Sequence, residues 1–228
     1  MPLNNQNKNR IDLPELAMNK SRLEALSDGV FAIVMTLLVI EIKVPEINHT
    51  SLDKIDTNEL IRALAGYTPI FISYFLTFAI ISVLWLSHHF LLHQYAKNID
   101  RYIIQLNALF LCFVSLIPFS SHFLGVYFDQ PLALAIFGTN MLVSYTMIYI
   151  MQQYILRATH IENAQLPSRI LKQGKIRMAV NIGFSGIGII LGLINTNLGL
   201  ICLIIPVIFT VIPGMLTRVE RLLGIEIR

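Results

Sequence analysis

Long apolar blocks separated by short polar links run along this chain, and the blocks lack the one-sided spacing of a helix with a wet face. An uncharged block of about 18 or more residues is long enough to cross a bilayer as a helix. Such blocks fall at about Ser27–Val44, Thr68–His93, Ile103–Val126, Leu132–Tyr154, Ile176–Asn195 and Leu198–Leu216. They predict an all-α polytopic membrane protein with six transmembrane helices. The organisation that follows is a cytoplasmic tail over 1–24, a six-helix membrane domain over 25–217 and a short cytoplasmic end over 218–228. Only Thr196 and Asn197 divide the last two spans, which predicts a tight hairpin.

Composition agrees with this reading. Of 228 residues, 55% are hydrophobic and 14% charged, against about 25% charged in an ordinary soluble domain. Six spans leave no room for a large catalytic domain outside the membrane. Cys112 and Cys202 both lie inside apolar blocks and read as small buried hydrophobes. The polar start, MPLNNQNKNR, lacks the pattern of a cleaved signal peptide and reads as a soluble tail.

The net charge of +3 has its source in topology rather than in an anionic partner, and no nucleic-acid site is legible. Fourteen of the 17 Lys and Arg residues fall in the tail, in the links after spans 2 and 4 and at the C-terminal end. The opposite side holds Lys43, Lys54 and Arg62 beside Glu46, Asp53, Asp56 and Glu59. The positive-inside rule then puts both termini in the cytoplasm, which requires an even number of spans.

Within the link from Pro45 to Gly66, the second half predicts a short interfacial helix capped by Thr57. Pro118 in span 3 and Pro206 and Pro213 in span 6 predict kinks. Span 5 carries Gly183, Gly186, Gly188 and Gly192, and the last two form a Gly-x-x-x-Gly step suited to close helix packing. No repeat relates the two halves, so an inverted-repeat transporter gains no support.

Span 1 carries the most information. Between Asp28 and Glu41 lie 12 uncharged residues, about 18 Å of helix against a hydrocarbon core of about 30 Å. At least one carboxylate therefore reaches into the thickness of the membrane, where ionisable groups face a bundle interior or a wet cavity. On a helix, Val30, Ile33, Leu37, Ile40 and Val44 share one stripe with Thr36 at its edge, whereas Asp28 projects about 140° from Ile33. Polar Thr36 and the small residues Gly29 and Ala32 suit a helix surrounded by protein rather than by lipid.

The run Arg22-Leu-Glu-Ala-Leu-Ser27-Asp28-Gly29-Val-Phe-Ala-Ile33-Val-Met-Thr36-Leu37-Leu-Val-Ile40 resembles the first helix of the lysosomal potassium channel family, transmembrane protein 175, above all its six-span prokaryotic members. Leu26 stands where that family usually has Phe, a change to a packing contact. Trp85-Leu-Ser-His88 near the end of span 2 is similar to the family's Trp-x-x-His. The resemblance implies a homotetramer in a cell (plasma) membrane, conducting potassium and other monovalent cations through one central pore lined by span 1. Carried over by position, Ile33, Leu37 and Ile40 become the apolar pore constrictions, with Thr36 a polar ring beside them. Arg22, Ser27, Asp28, Trp85 and His88 become a hydrogen-bonded cluster bracing span 1 against span 2. An apolar ring gates by dewetting, and with no Thr-Val-Gly-Tyr-Gly carbonyl filter in the chain, the expected preference for potassium over sodium is moderate.

Other constellations carry less. His89 and His93 share a helix face, but no acidic third ligand lies near them in sequence, so no metal site and no cofactor are expected. Glu41, close to the stripe, marks the outer mouth, where acids can concentrate cations. The basic link from Arg157 to Arg177 suits anionic headgroups. No catalytic triad, phosphate loop or dinucleotide fingerprint is present, which argues against an enzyme. The rival readings are a secondary cation/proton transporter using Asp28 or Glu41 as its carrier carboxylate, and a membrane scaffold without transport.

Overall fold

The computed structural model describes residues 19–45, 56–158, 161 and 167–211. Every regular element among them is helical: α1 (Lys20–Ile40), α2 (Thr57–Gly66), α3 (Thr68–Phe90), a π-helical turn (Leu91–Tyr95), α4 (Arg101–Ser115), α5 (Ile117–Val126), α6 (Pro131–Arg157), α7 (Ser168–Ile194) and α8 (Thr196–Val211). Five helical stretches are long and apolar enough to cross a membrane: Lys20–Ile40, Thr68–Tyr95, Arg101–Val126, Pro131–Arg157 and Ser168–Ile194. The sixth, α8, is a shorter apolar helix in its described part. The expected span end at Leu216, Pro213 and the C-terminal arginines lie outside the described residues, as do the tail before Asn19, Glu46, Asp53, Lys54 and Glu162.

Several boundaries differ from the apolar runs, each for a local reason. The first helix starts at Lys20, about two turns before the apolar run at Ser27. Asn19 caps it by accepting from the Ser21 N–H at 3.3 Å, and Lys20 and Glu24 pair one turn apart at 3.6 Å. It ends at Ile40 rather than Val44, because Pro45 disfavours helical geometry in the residue before it. The cap of α2 is Asp56, one residue before the expected Thr57; its carboxylate accepts from the Asn58 N–H at 3.3 Å. The hairpin between α7 and α8 turns on Asn195 alone, not on Thr196 and Asn197. Asn195 is extended, and its side chain accepts from the Leu198 N–H at 3.2 Å, so one residue ends one helix and caps the next.

The expected kink at Pro118 is a break. Leu116 interrupts the span between α4 and α5, since proline cannot donate to the carbonyl one turn back. Asn140 of α6 covers the opening: oriented to satisfy both ends, its amide donates to the Phe113 carbonyl at 3.0 Å and accepts from the Ile117 N–H at 3.3 Å. Ser73 and Thr77 of α3 add hydroxyl bonds to Ser121 of α5, the second at 2.7 Å. In an apolar medium such bonds hold helices that gain little from burying one greasy surface against another.

Close packing accounts for part of the glycine-rich span. A Cβ on Gly199 of α8 would lie 2.7 Å from the Gly188 carbonyl oxygen and 2.7 Å from the Gly192 Cα, both backbone atoms of α7. Gly183 and Gly186, by contrast, have nothing within 4 Å of such a Cβ. Gly199→Ala is therefore expected to force α7 and α8 apart and cost about 1–3 kcal/mol, whereas Gly183→Ala, in open space within a helix, is expected to stabilise by about 0.4–1 kcal/mol. Thermal unfolding of the two variants in detergent checks the contrast.

Successive long helices run antiparallel. The start of α1, the end of α3, the start of α4, the end of α6 and the start of α7 thus share one end of the bundle. Lys20, Arg101, Arg157 and Arg169 all lie there, and it is called the basic end below.

Candidate functional site

Two faces of α1 have opposite surroundings. Leu23, Ser27, Phe31, Val34 and Leu38 are buried against the rest of the chain. About 120° round the helix, Ile33 is 60% exposed, Leu37 39% and Ile40 70%. Val44, just past the helix end, is exposed as well. Thr36 is exposed beside them, and its hydroxyl donates to the Ile33 carbonyl at 2.8 Å. Val30, the first residue of the stripe expected from the helical wheel, is half-buried against the chain's own core, but from Ile33 to Val44 the stripe is an apolar surface that this chain does not cover.

Polar bonds hold the buried face and, on its exposed flank, Asp28. Asp28 Oδ1 accepts from the Trp85 indole N–H at 2.8 Å, tying α1 to α3. The Trp85 ring stacks on His89, centroid to centroid 5.6 Å, and His89 stacks on His93 at 5.5 Å. One residue before Asp28, the Ser27 hydroxyl donates to the Leu23 carbonyl at 2.9 Å and accepts from the Asn107 amide at 3.1 Å. The Asn107 carbonyl oxygen lies 2.6 Å from His88 Nε2. That oxygen can only accept, so His88 carries a proton on Nε2 and donates. The His88 ring stacks on Phe110 at 5.1 Å and leans on Phe31 at 6.0 Å. Ser27, His88 and Asn107 are all buried.

Of the five residues expected to brace the pore helix, the structure brings together Ser27 with His88 and Asp28 with Trp85. Arg22 stands apart. It is exposed, and among the described residues no hydrogen bond or ion pair joins it to Asp28, Trp85 or His88. Arg22 and Asp28 are six positions apart in sequence, which puts the two about 120° apart round α1 and about 9 Å apart along it.

Sequence reasoning missed Asn107, the hub that joins α1 and α3 to α4. Its signal was present: an amide within an apolar span must find partners when buried. His122 of α5 was missed too. Its Nδ1 lies 3.9 Å from a Glu41 carboxylate oxygen at the end of α1, so the two attract when the imidazole is protonated. Among the described residues, no group of three side chains is arranged to hold a metal ion.

Comparison with known proteins agrees with this architecture. Residues 22–118, the stretch from the start of α1 into α5, match the model of the endosomal/lysosomal potassium channel TMEM175 family. A potassium channel of Chryseobacterium sp. (strain P1-3) is 30% identical over 172 residues, 75% of this chain and 82% of that protein. The endosomal/lysosomal proton channel TMEM175 of Mus musculus is 35% identical over 117 residues, 50% of this chain and only 23% of the longer mouse protein. The crystal structure of a lysosomal potassium-selective channel TMEM175 homolog from Chamaesiphon minutus superposes with a TM-score of 0.70 at 25% identity, covering 87% of this chain and 97% of that one. Matching over most of the length of a bacterial relative, with the first two spans and part of the third fitting the family model, the chain belongs to the TMEM175 family of membrane ion channels, not to an enzyme family.

Proposed function

We propose that the chain forms a homotetrameric, potassium-permeable cation channel in the plasma membrane, with α1 of each copy lining one central pore. The observation that carries this reading is the uncovered stripe of Ile33, Leu37 and Ile40, set on the face of α1 turned away from its own bundle. Brought together around an axis, four such stripes make stacked apolar rings. A cation there meets no coordinating oxygen and passes only when water fills the gap, so the rings set both the gate and the barrier. The Thr36 hydroxyl spends its proton on the Ile33 carbonyl and keeps lone pairs for a passing cation. Ser27, Asp28, Trp85 and His88 then act behind the pore wall, fixing the rotation of α1 so that the stripe faces inward. Arg22 lies at the basic end of α1 on the side of the stripe, and Glu41 at the other end marks the outer mouth. The names of the bacterial relatives support potassium as the ion, and the vertebrate relatives, named proton channels, make protons the second ion to measure.

The transporter reading has one observation of its own, the titratable pair of Glu41 and His122. Planar-bilayer recording of purified protein under potassium/sodium bi-ionic conditions separates the two. A pore gives unitary current steps and a reversal potential shifted moderately toward potassium. Saturable flux that follows a proton gradient without steps overturns the pore, and absence of any potassium flux from loaded liposomes overturns transport altogether.

A further inference from the structure

At the basic end, where α3, α6 and α7 meet, lies a cavity of about 310 Å³ whose lining includes Tyr95, Gln152, Gln173, Gly174 and Arg177. It lies behind the brace cluster, and no role proposed above uses it. Its polar groups are incompletely satisfied. The Gln152 side chain, 4% exposed, donates its amide N–H to the Tyr95 hydroxyl at 3.1 Å, while its carbonyl oxygen is buried with no hydrogen-bond partner. The Nε–H of Arg177 is buried and unpartnered in the same way. Among the described residues, no Asp or Glu lines the cavity. Gly174 lets α7 approach this closely, since a Cβ there would lie 2.5 Å from the Tyr95 oxygen.

A half-buried guanidinium with its Nε–H unpartnered and an orphaned acceptor lining the same cavity are costly unless something supplies an anion and a donor together. Position narrows the choice. The uncharged part of α7 runs from Met178 to Ile194, about 26 Å of helix against a hydrocarbon core of about 30 Å, so Arg177 falls at the edge of the hydrocarbon, with lipid phosphates within reach of its long side chain. Half-exposed Leu86 and Phe90 of α3 line the cavity as well and carry an apolar surface into the membrane. We infer that this cavity binds a phospholipid whose headgroup joins its phosphate to a hydrogen-bond donor. Arg177 takes the phosphate, the Gln152 carbonyl takes the headgroup hydroxyl or ammonium, and an acyl chain lies along Leu86 and Phe90. Phosphatidylglycerol is the simplest net-anionic lipid of this kind, and phosphatidylcholine lacks the donor. The exposed cations Arg169 and Lys172 attract anionic membrane in general but do not line the cavity.

Native mass spectrometry of the purified full chain, delipidated in detergent and titrated with phosphatidylglycerol, phosphatidylcholine or glycerol 3-phosphate, tests the site. Phosphatidylglycerol is expected to bind about tenfold more tightly than phosphatidylcholine, and glycerol 3-phosphate too weakly to survive. Arg177→Gln is expected to abolish the preference, Arg177→Lys to keep part of it, and the paired Arg169→Gln, Lys172→Gln variant to retain it. Equal binding of the two lipids by the wild-type chain overturns the inference without recourse to any variant. Full occupancy by glycerol 3-phosphate overturns the lipid as ligand. Loss of preference in the Arg169/Lys172 variant but not in Arg177→Gln overturns the cavity as the site. None of these outcomes depends on whether α1 lines a pore.

Discussion

Replacing Ile33 with Asn is expected to give a channel that passes more current and discriminates less between potassium and sodium. The side chain is 60% exposed, so it makes little contact that the fold would lose. In a tetramer the change puts four amides where four aliphatic groups excluded water. Amide oxygens replace part of an ion's hydration and let the constriction stay wet. A barrier lowered by only about 1.4 kcal/mol raises the passage rate about tenfold. Bilayer recording of Ile33→Asn beside the wild type measures both quantities at once. Unchanged conductance and unchanged reversal potential would remove Ile33 from the conduction path, and with it the pore reading of α1.

Asn107→Leu is expected to be the most destabilising single change in the brace. Leucine fills a similar volume but leaves the His88 Nε2–H and one lone pair of Ser27 without partners in a dry site. A buried polar group stripped of its partner costs about 1–3 kcal/mol, and a hydrogen bond between membrane helices is worth about 0.6 kcal/mol on average and up to about 1.7. A loss of about 2 kcal/mol follows. Ser27 keeps its bond to the Leu23 carbonyl, so most of the loss falls on His88. The double variant His88→Phe, Asn107→Leu removes donor and acceptor together and preserves the ring against Phe110 and Phe31. It is expected to unfold at a higher temperature than Asn107→Leu alone. Thermal unfolding in detergent decides the point, and a double variant less stable than both single ones would show that His88 and Asn107 do not act as a pair.

The apolar stripe on α1 and the position of Asp28 away from it were legible because helical periodicity alone fixes which side chains share a face, whereas the bracing roles of Trp85 and His88 were legible only through the family resemblance. Asn107 was not assigned, because an amide announces a need for partners without naming them. The partners come from a helix 80 positions away in the chain for Ser27 and 19 away for His88. The Asn140 amide that covers the break at Leu116 is a case of the same kind. Arg22 shows the converse limit, since a motif residue close in sequence to Asp28 is carried round the helix to another face.

The sequence by itself determined that this is a membrane-spanning all-helical chain, and it determined where its first helix is apolar, polar and charged. Those properties follow from transfer free energies and from the turn angle of one helix, both local quantities. Tertiary structure decided which face of α1 is spent inside the chain and which is left uncovered. It also decided that α4 shares the brace, that Pro118 breaks its span under the cover of α6, and that Arg177 and Gln152 converge on one cavity at the basic end. Each of those depends on contacts between distant segments, where hydrogen-bond satisfaction and close packing choose among arrangements that the apolar pattern alone leaves equivalent.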